Sequence, residues 1–270
     1  MTETMSTLVL GGTGKTGRRV AGLLAAQGVP VRIGSRGATP RFDWEDSGTW
    51  SGALDGMAAV YLSYQPDLAF PGATATVRAF VEQAVKHGVS RIVLLAGRGE
   101  PAAEAAEDVV KESGVEWTVV RASFFDQNFS EDLFQPAVVA GEIALPVGEA
   151  AEPFVDADDI AEVAAAALTD GRHHGRTYDL TGPRLLTFAE VAAEISAATG
   201  REIRFIPVSK ADYAAALRAE GLPEDLAELF AAVTDGRNAY LGYGVQQALG
   251  RPARDFADYA RAAAATGVWS

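Results

Sequence analysis

Cysteine is absent from this 270-residue chain, which removes disulfides, thiolate metal sites and cysteine nucleophiles together. Histidine is scarce. His87, His173 and His174 stand in Lys-His-Gly and Arg-His-His-Gly contexts that read as exposed helix ends and loops. Without a His-Glu-x-x-His or similar ligand spacing, no metal site is expected. Positive charge is in deficit, 23 Lys plus Arg against 36 Asp plus Glu, so a net charge of -13 repels phosphate backbones and argues against direct nucleic-acid binding. No apolar run approaches the roughly 18 residues of a membrane span, and no basic segment followed by an apolar one opens the chain. The expectation is a cytoplasmic protein without membrane association. Repeats and low-complexity linkers are also missing, which favours packed lobes over tethered ones.

What is present begins with Thr7-Leu-Val-Leu-Gly-Gly-Thr-Gly-Lys-Thr-Gly-Arg-Arg-Val20, a strand-length apolar run, a glycine turn and a helical pattern through Val20, Leu23 and Leu24. Its glycines read both as G-x-x-G-x-x-G from Gly11 and as G-x-G-x-x-G from Gly12. They permit a tight turn, a close approach to a pyrophosphate and tight helix packing, with the anion resting on helix N-terminal N–H groups. Gly14-Lys15-Thr16 resembles the end of a triphosphate loop, but that motif needs a glycine where Val9 stands, so it is excluded.

The first helix stops at Gly28 and Pro30–Ile33 reads as the second strand. Where an NAD-binding chain places an acid for the ribose 2'-hydroxyl, this one has Ser35 and Arg36, which favours the 2'-phosphate of NADP. Arg41–Trp44 reads as a third strand with Asp43 toward the adenine, and Thr49–Leu54 as a short helix. Strands follow at Ala59–Ser63, Arg91–Leu95 and Trp117–Arg121, separated by helices whose apolar periodicity is clearest at Val77, Phe80, Val81, Ala84 and Val85. This alternation implies an α/β, Rossmann-type, doubly wound parallel sheet. Further on, Glu142–Leu145 and Pro153–Val155 read as short strands, Asp156–Leu168 as a helix and Arg176–Leu180 as a strand. Thr187 with Glu190 forms a capping box, and Ser209 with Asp212 starts another helix in the same way. The remainder, through Pro223, Asp235 and Asp255, reads as short alanine-rich helices. The domains expected are a nucleotide-binding core over 1–153, with 154–182 returning to it, and a smaller, mainly helical substrate lobe over 183–270.

Leu10-Gly-Gly-Thr-Gly-Lys-Thr-Gly17, Phe42-Asp-Trp44, the run from Ser113 to Phe129, and Phe154-Val-Asp-Ala-Asp-Asp-Ile-Ala-Glu162 together resemble the NmrA-like atypical short-chain dehydrogenase/reductases. The likeness continues through Tyr178–Pro183 and Leu186–Val191, and is greatest to the bacterial branch similar to ergot alkaloid biosynthesis proteins of the festuclavine synthase type. It implies NADP(H) bound by a Rossmann lobe, a C-terminal lobe over the nicotinamide, and reduction of quinones, benzylic ethers or iminium ions; some members only sense NADP redox state. It also implies association with secondary-metabolite pathways.

One departure matters. The short-chain class usually carries Tyr-x-x-x-Lys on the helix after the fifth strand, the lysine assisting tyrosine to donate a proton. Those places are Gly99 and Ala103 here, and none of the seven tyrosines has a lysine four positions on. Either the chain binds NADP(H) without chemistry, or it reduces an acceptor that needs no strong protein acid, with orientation supplying most of the catalysis. A redox-neutral reaction in the same pocket stays open.

The expected cofactor contacts are Gly11, Thr13, Gly14, Lys15, Thr16, Gly17, Ser35, Arg36, Asp43, Ser63, Tyr64, Gln65, Ala96, Gly97, Ala122, Ser123 and Phe124. Phe125, Gln127 and Asn128 are expected to line the substrate site. Tyr64 and Asp126 are the candidate catalytic groups. Each has a second reading: Tyr64 as packing or ribose contact, Asp126 as a helix cap, Phe124 and Phe125 as core, Lys15 as an exposed side chain. Asp156, Asp158 and Asp159 precede an apolar stripe and read as capping and dipole stabilisation, and Arg18-Arg19 as a solvated face. The partner expected is a small-molecule substrate, in a monomer or a homodimer.

Overall fold

The computed structural model describes residues 5–131, 134–219, 221, 224, 227–228, 230–231 and 234–270. Pro223, where a further helix was expected, lies outside them. In chain order the elements are β1 (Thr7–Leu10), α1 (Lys15–Ala26), β2 (Val31–Gly34), α2 (Trp50–Leu54), β3 (Ala59–Leu62), α3 (Ala73–Lys86), β4 (Arg91–Gly97), α4 (Pro101–Lys111) and β5 (Glu116–Ala122). There follow α5 (Gln135–Ala140), β6 (Glu142–Leu145), β7 (Ala151–Glu152), α6 (Ala157–Thr169) and β8 (Arg176–Leu180). The last are β9 (Leu186–Thr187), α7 (Phe188–Thr199), β10 (Arg204–Pro207), α8 (Lys210–Ala219), α9 (Gly244–Leu249) and α10 (Phe256–Ala265).

Six strands form one parallel sheet in the order β2-β1-β3-β4-β5-β8. Its inner strands carry continuous apolar runs because helices cover both faces: Leu8, Val9, Leu10, Val60, Leu62, Ile92 and Leu94 are fully buried. On α3 the buried positions are Val77, Phe80, Val81 and Ala84, the stripe expected of an amphipathic helix. The doubly wound parallel sheet is thus as the sequence implied.

The segment Arg41–Trp44 is not a strand. Only an isolated antiparallel bridge joins Asp43 to Asp46. The Asp43 carbonyl accepts the Trp50 indole N–H (2.8 Å), so it is unavailable to a sheet neighbour. Phe42 and Trp44 turn into an aromatic cluster with Trp50 and Phe80. Likewise the short strand expected at Pro153–Val155 is found at Ala151–Glu152, with Val155 bridging Phe125.

The chain forms two compact units. The first holds residues up to Ala122, Ala157–Leu180 and Tyr243–Arg251; the second holds Ser123–Asp156, Thr181–Gly242 and Pro252–Ser270. A boundary at 153 and 183 therefore differs from the observed division at both ends. Residues 123–156 join the second unit because β6 pairs with β10 and β7 with β9. In the other direction α9 packs against α6 and β8, returning a late segment to the first unit.

In the second unit Phe129, Phe154, Phe188, Phe256 and Trp269 form the core. The Trp269 indole donates to the Phe129 carbonyl (2.7 Å), so a buried polar tip finds its partner. The Thr187–Glu190 capping box is present, and the Ser209 hydroxyl accepts from the Asp212 amide at the start of α8. Among the described residues no helix is long and apolar enough to cross a membrane.

Candidate functional site

The glycine loop leaves β1 through Gly11, whose φ of 63° lies in the left-handed region where a side chain is disfavoured. The Gly11 amide donates to the Gly34 carbonyl (3.1 Å), and the Gly14 amide turns back onto the Gly11 carbonyl (2.8 Å). The first turn of α1 then presses onto this loop: a Cβ on Gly17 would stand 2.2 Å from the Gly11 carbonyl oxygen. Gly14 occupies the N-cap of α1 without a side-chain cap, and the first turn holds no acid. Such a helix start presents N–H groups and the positive end of the dipole to an anion. The cradle fits a dinucleotide pyrophosphate: Gly11, Gly14, Lys15, Thr16 and Gly17 would hold it, with Thr13 exposed at the loop tip and Thr16 buried behind.

Around this loop the first unit gathers the carboxyl ends of neighbouring strands, the side of an open parallel sheet where ligands bind. Strand β1 is followed in the chain by β2 on one side and β3 on the other, so the direction of winding reverses there. After β2, the Ser35 carbonyl accepts the Ala38 and Phe42 amides, holding the turn that exposes Arg36. Asp43 is paired with Arg41 (2.6 Å) and accepts the Glu45 amide (3.2 Å). The Glu45 N–H, then Arg41 and Arg36, hold its carboxyl below the usual carboxylate range. The one acid of this turn among the expected contacts is therefore already engaged by cations, leaving the neighbourhood of Arg36 hospitable to a phosphate.

After β3, Ser63 lies against Gly11, its Oγ 3.5 Å from where a Gly11 Cβ would be, and its carbonyl accepts the Trp44 indole (3.3 Å). Tyr64 is half-buried and its ring packs on Trp44 with centroids 4.9 Å apart, while Gln65 is exposed. Ala96 and Gly97 close β4 and pair with Arg121 and Ala122 of β5. Thus Gly11 through Gly17, Ser35, Arg36, Asp43, Ser63, Tyr64, Gln65, Ala96, Gly97 and Ala122 all belong to one end of one sheet.

The other expected site residues lie in the second unit. Phe124 contacts four phenylalanines, Phe134, Phe154, Phe188 and Phe230, the first in a stacked geometry. Phe125 joins Val155 through a backbone bridge. Asp126 is fully buried within the short turn Asp126–Phe129, whose N-cap is Phe125, so Asp126 does not cap it. Ser123 is buried, the Gln127 amide donates to Asp156 (2.9 Å), and the Asn128 carbonyl accepts the Phe134 amide.

Three expectations change. Arg19 is paired with Asp158 of α6 (2.5 Å), so it is not merely a solvated face. Asp159 is fully buried and paired with Arg251, which also reaches Glu162, so its role exceeds dipole stabilisation. His173 is not exposed: its Nδ1 meets the Tyr178 hydroxyl at 2.8 Å in a buried site. Among the described residues no cluster of potential ligands could hold a metal ion.

Sequence reasoning missed Glu100 and Asp67, the second acting on the first, which stand beyond the ends of β4 and β3. The one local signal was an acid directly before Pro101, close to where the class places its tyrosine. It also missed Glu107, fully buried on α4 and held by both Arg121 (2.6 Å) and Lys111 (2.9 Å).

Known proteins are similar to this chain in sequence and fold. The profile of the NmrA-like family matches residues 104–261, and that of an NAD(P)H-binding family matches residues 11–171. The NAD(P)H azoreductase of Xenophilus azovorans is 33% identical over 284 residues, 96% of this chain and 98% of its own. Agroclavine dehydrogenase of Claviceps fusiformis is 33% identical over 293 residues, covering 94% and 96%. The structure of the NADPH-dependent quinone oxidoreductase QOR2 of Escherichia coli in complex with NADPH superposes with a TM-score of 0.74 at 22% identity, covering 95% of this chain and 98% of that one.

Proposed function

The chain belongs to the NmrA-like family of NAD(P)H-dependent oxidoreductases, and we propose that it is an NADPH-dependent reductase of a small, flat, conjugated or cyclic acceptor. The acceptors envisaged are quinones, enones, imines and carbonyl compounds, within a specialised metabolic pathway. The observation that carries the cofactor choice is the turn after β2: Arg36 is exposed where an acid would otherwise receive a ribose hydroxyl, and Asp43 is neutralised by Arg41. When bound, the cofactor supplies hydride; the glycine cradle holds its pyrophosphate, and Ser63, Tyr64, Ala96 and Gly97 line the strand ends beyond. The substrate class draws on relatives named NAD(P)H azoreductase and agroclavine dehydrogenase, and on a structural neighbour named NADPH-dependent quinone oxidoreductase.

Fluorescence titration tests the cofactor assignment. NADPH is expected to bind at least tenfold more tightly than NADH, a difference of about 1.4 kcal/mol, and Arg36→Ala to remove that preference. An unchanged preference in the variant overturns the role of Arg36. Consumption of NADPH with a panel of quinones, enones and cyclic imines tests the reductase assignment. A second reading, an NADP(H) sensor that docks on a protein partner, draws on the missing Tyr-x-x-x-Lys. Stereospecific transfer of deuterium from labelled NADPH to an acceptor excludes it as the sole function.

A further inference from the structure

Glu100 lies three residues beyond Gly97, the last residue of β4, and its carboxyl folds back over that glycine. A Cβ on Gly97 would lie 2.4 Å from Oε1 and 2.5 Å from both Cδ and Oε2. The carboxyl therefore occupies the space a side chain at the strand end would take. Although Glu100 is the N-cap residue of α4, its side chain makes no cap hydrogen bond. Its Oε2 is shut off from solvent, and no N–H or O–H donor among the described residues reaches it.

The charged group that acts on it is a second carboxyl, Asp67, from the loop between β3 and α3. Asp67 Oδ1 accepts the Ala69 amide (2.8 Å). Burial first, then the charge and hydrogen bond of Asp67, push the Glu100 carboxyl up to about 7. Charged side chains nearby in the chain are Arg98, buried just after β4, and Glu104, exposed on the first turn of α4; Asp67 is the charged group that acts on Glu100. A carboxyl that keeps its proton near neutrality, at the ligand-binding ends of β3 and β4, has the properties of a general acid.

We propose that Glu100, its carboxyl folded over Gly97 at the carboxyl end of β4, is the proton donor of this reductase and takes the place of the missing tyrosine. This rests on the reductase reading given above. In the reduction of a carbonyl, the acceptor carbon gains a C–H bond from the hydride of NADPH and the C=O electron pair moves onto oxygen. The Glu100 O–H bond breaks to form the new O–H, leaving NADP+ and a Glu100 carboxylate that recovers its proton from water. Quinones and enones need a proton in the same way. An iminium ion does not, because hydride addition leaves a neutral amine. Glu100 thus divides acceptors by charge.

The test is Glu100→Gln, which keeps shape and removes the acid. Quinone and enone turnover is expected to fall about 10²–10⁴-fold, with NADPH affinity by fluorescence little changed and iminium reduction affected far less. In the wild type, quinone turnover falls as pH rises through neutrality; Asp67→Asn moves that fall to lower pH. Independently of turnover, carbon-13 NMR of glutamate-labelled protein without nucleotide should show one carboxyl titrating near neutrality that Glu100→Gln abolishes. Wild-type quinone turnover in Glu100→Gln, equal losses for quinone and iminium, or the absence of such a titration overturns the donor role and leaves the reductase reading intact. A wild type that binds NADPH and reduces no acceptor overturns the reductase reading, and the donor role with it.

Discussion

The α-carbon of Gly17 rides directly on the carbonyl of Gly11: a single added methyl would sit 2.2 Å from that oxygen and 2.6 Å from its carbon. Both partners are backbone, so neither can swing aside.

Gly17→Ala is therefore expected to push α1 off the loop. Overpacking of this kind costs about 1–3 kcal/mol, and here it also displaces the amides that would meet a pyrophosphate. The expected result is loss of NADPH affinity by tenfold or more in fluorescence titration, with a smaller fall in urea midpoint. Binding at wild-type strength would show that the loop tolerates the shift.

Glu107 and Arg121 are expected to respond unequally. The carboxylate is fully buried while Arg121 is about a quarter exposed. Arg121→Met strands a buried charge with Lys111 as its remaining cation among the described residues, and removal of one partner of a buried pair costs roughly 3–5 kcal/mol. Glu107→Gln leaves a neutral group and a cation that water can reach, so it should cost clearly less. Urea unfolding of the two variants measures the difference; equal losses would contradict it.

His173 sets a pH dependence. Burial, aided by Arg172 and Arg91 and opposed by Asp170, lowers its pKa below the ordinary 6.5. The folded state therefore favours the neutral ring, whereas the unfolded chain takes up a proton first. This contribution is complete above about 6.5 and is lost as pH falls through the lower folded value. Thermal unfolding across this range should show the decline, and His173→Gln should flatten it. A wild type with no such decline would place the ring in contact with water.

How much of this was legible in the sequence depends on how far apart the interacting residues stand. The turn Gly11–Gly17 is local, and the strands around it are continuous apolar runs, so loop and sheet could be read directly. The same holds for Thr187 with Glu190. Arg41–Trp44 misled because alternating Phe42 and Trp44 look like a strand, while the indole of Trp50 and the ring of Phe80 draw them into a cluster. The unit boundaries follow from the pairing of β6 with β10, between segments distant in the chain. Glu100 was passed over for the same reason: its raised carboxyl comes from burial first and then from Asp67, on a different loop.

The chain passes from one unit to the other after Ala122, Asp156, Leu180, Gly242 and Arg251. Neither unit can therefore be excised as a continuous fragment, and grafting a foreign substrate lobe would require several splices. During synthesis the nucleotide-binding unit stays incomplete until α9 has left the ribosome, long after its first strands have emerged. A truncation that removes only the last tenth of the chain would take α9 with it, and so would damage the same unit that holds the N-terminal glycine loop.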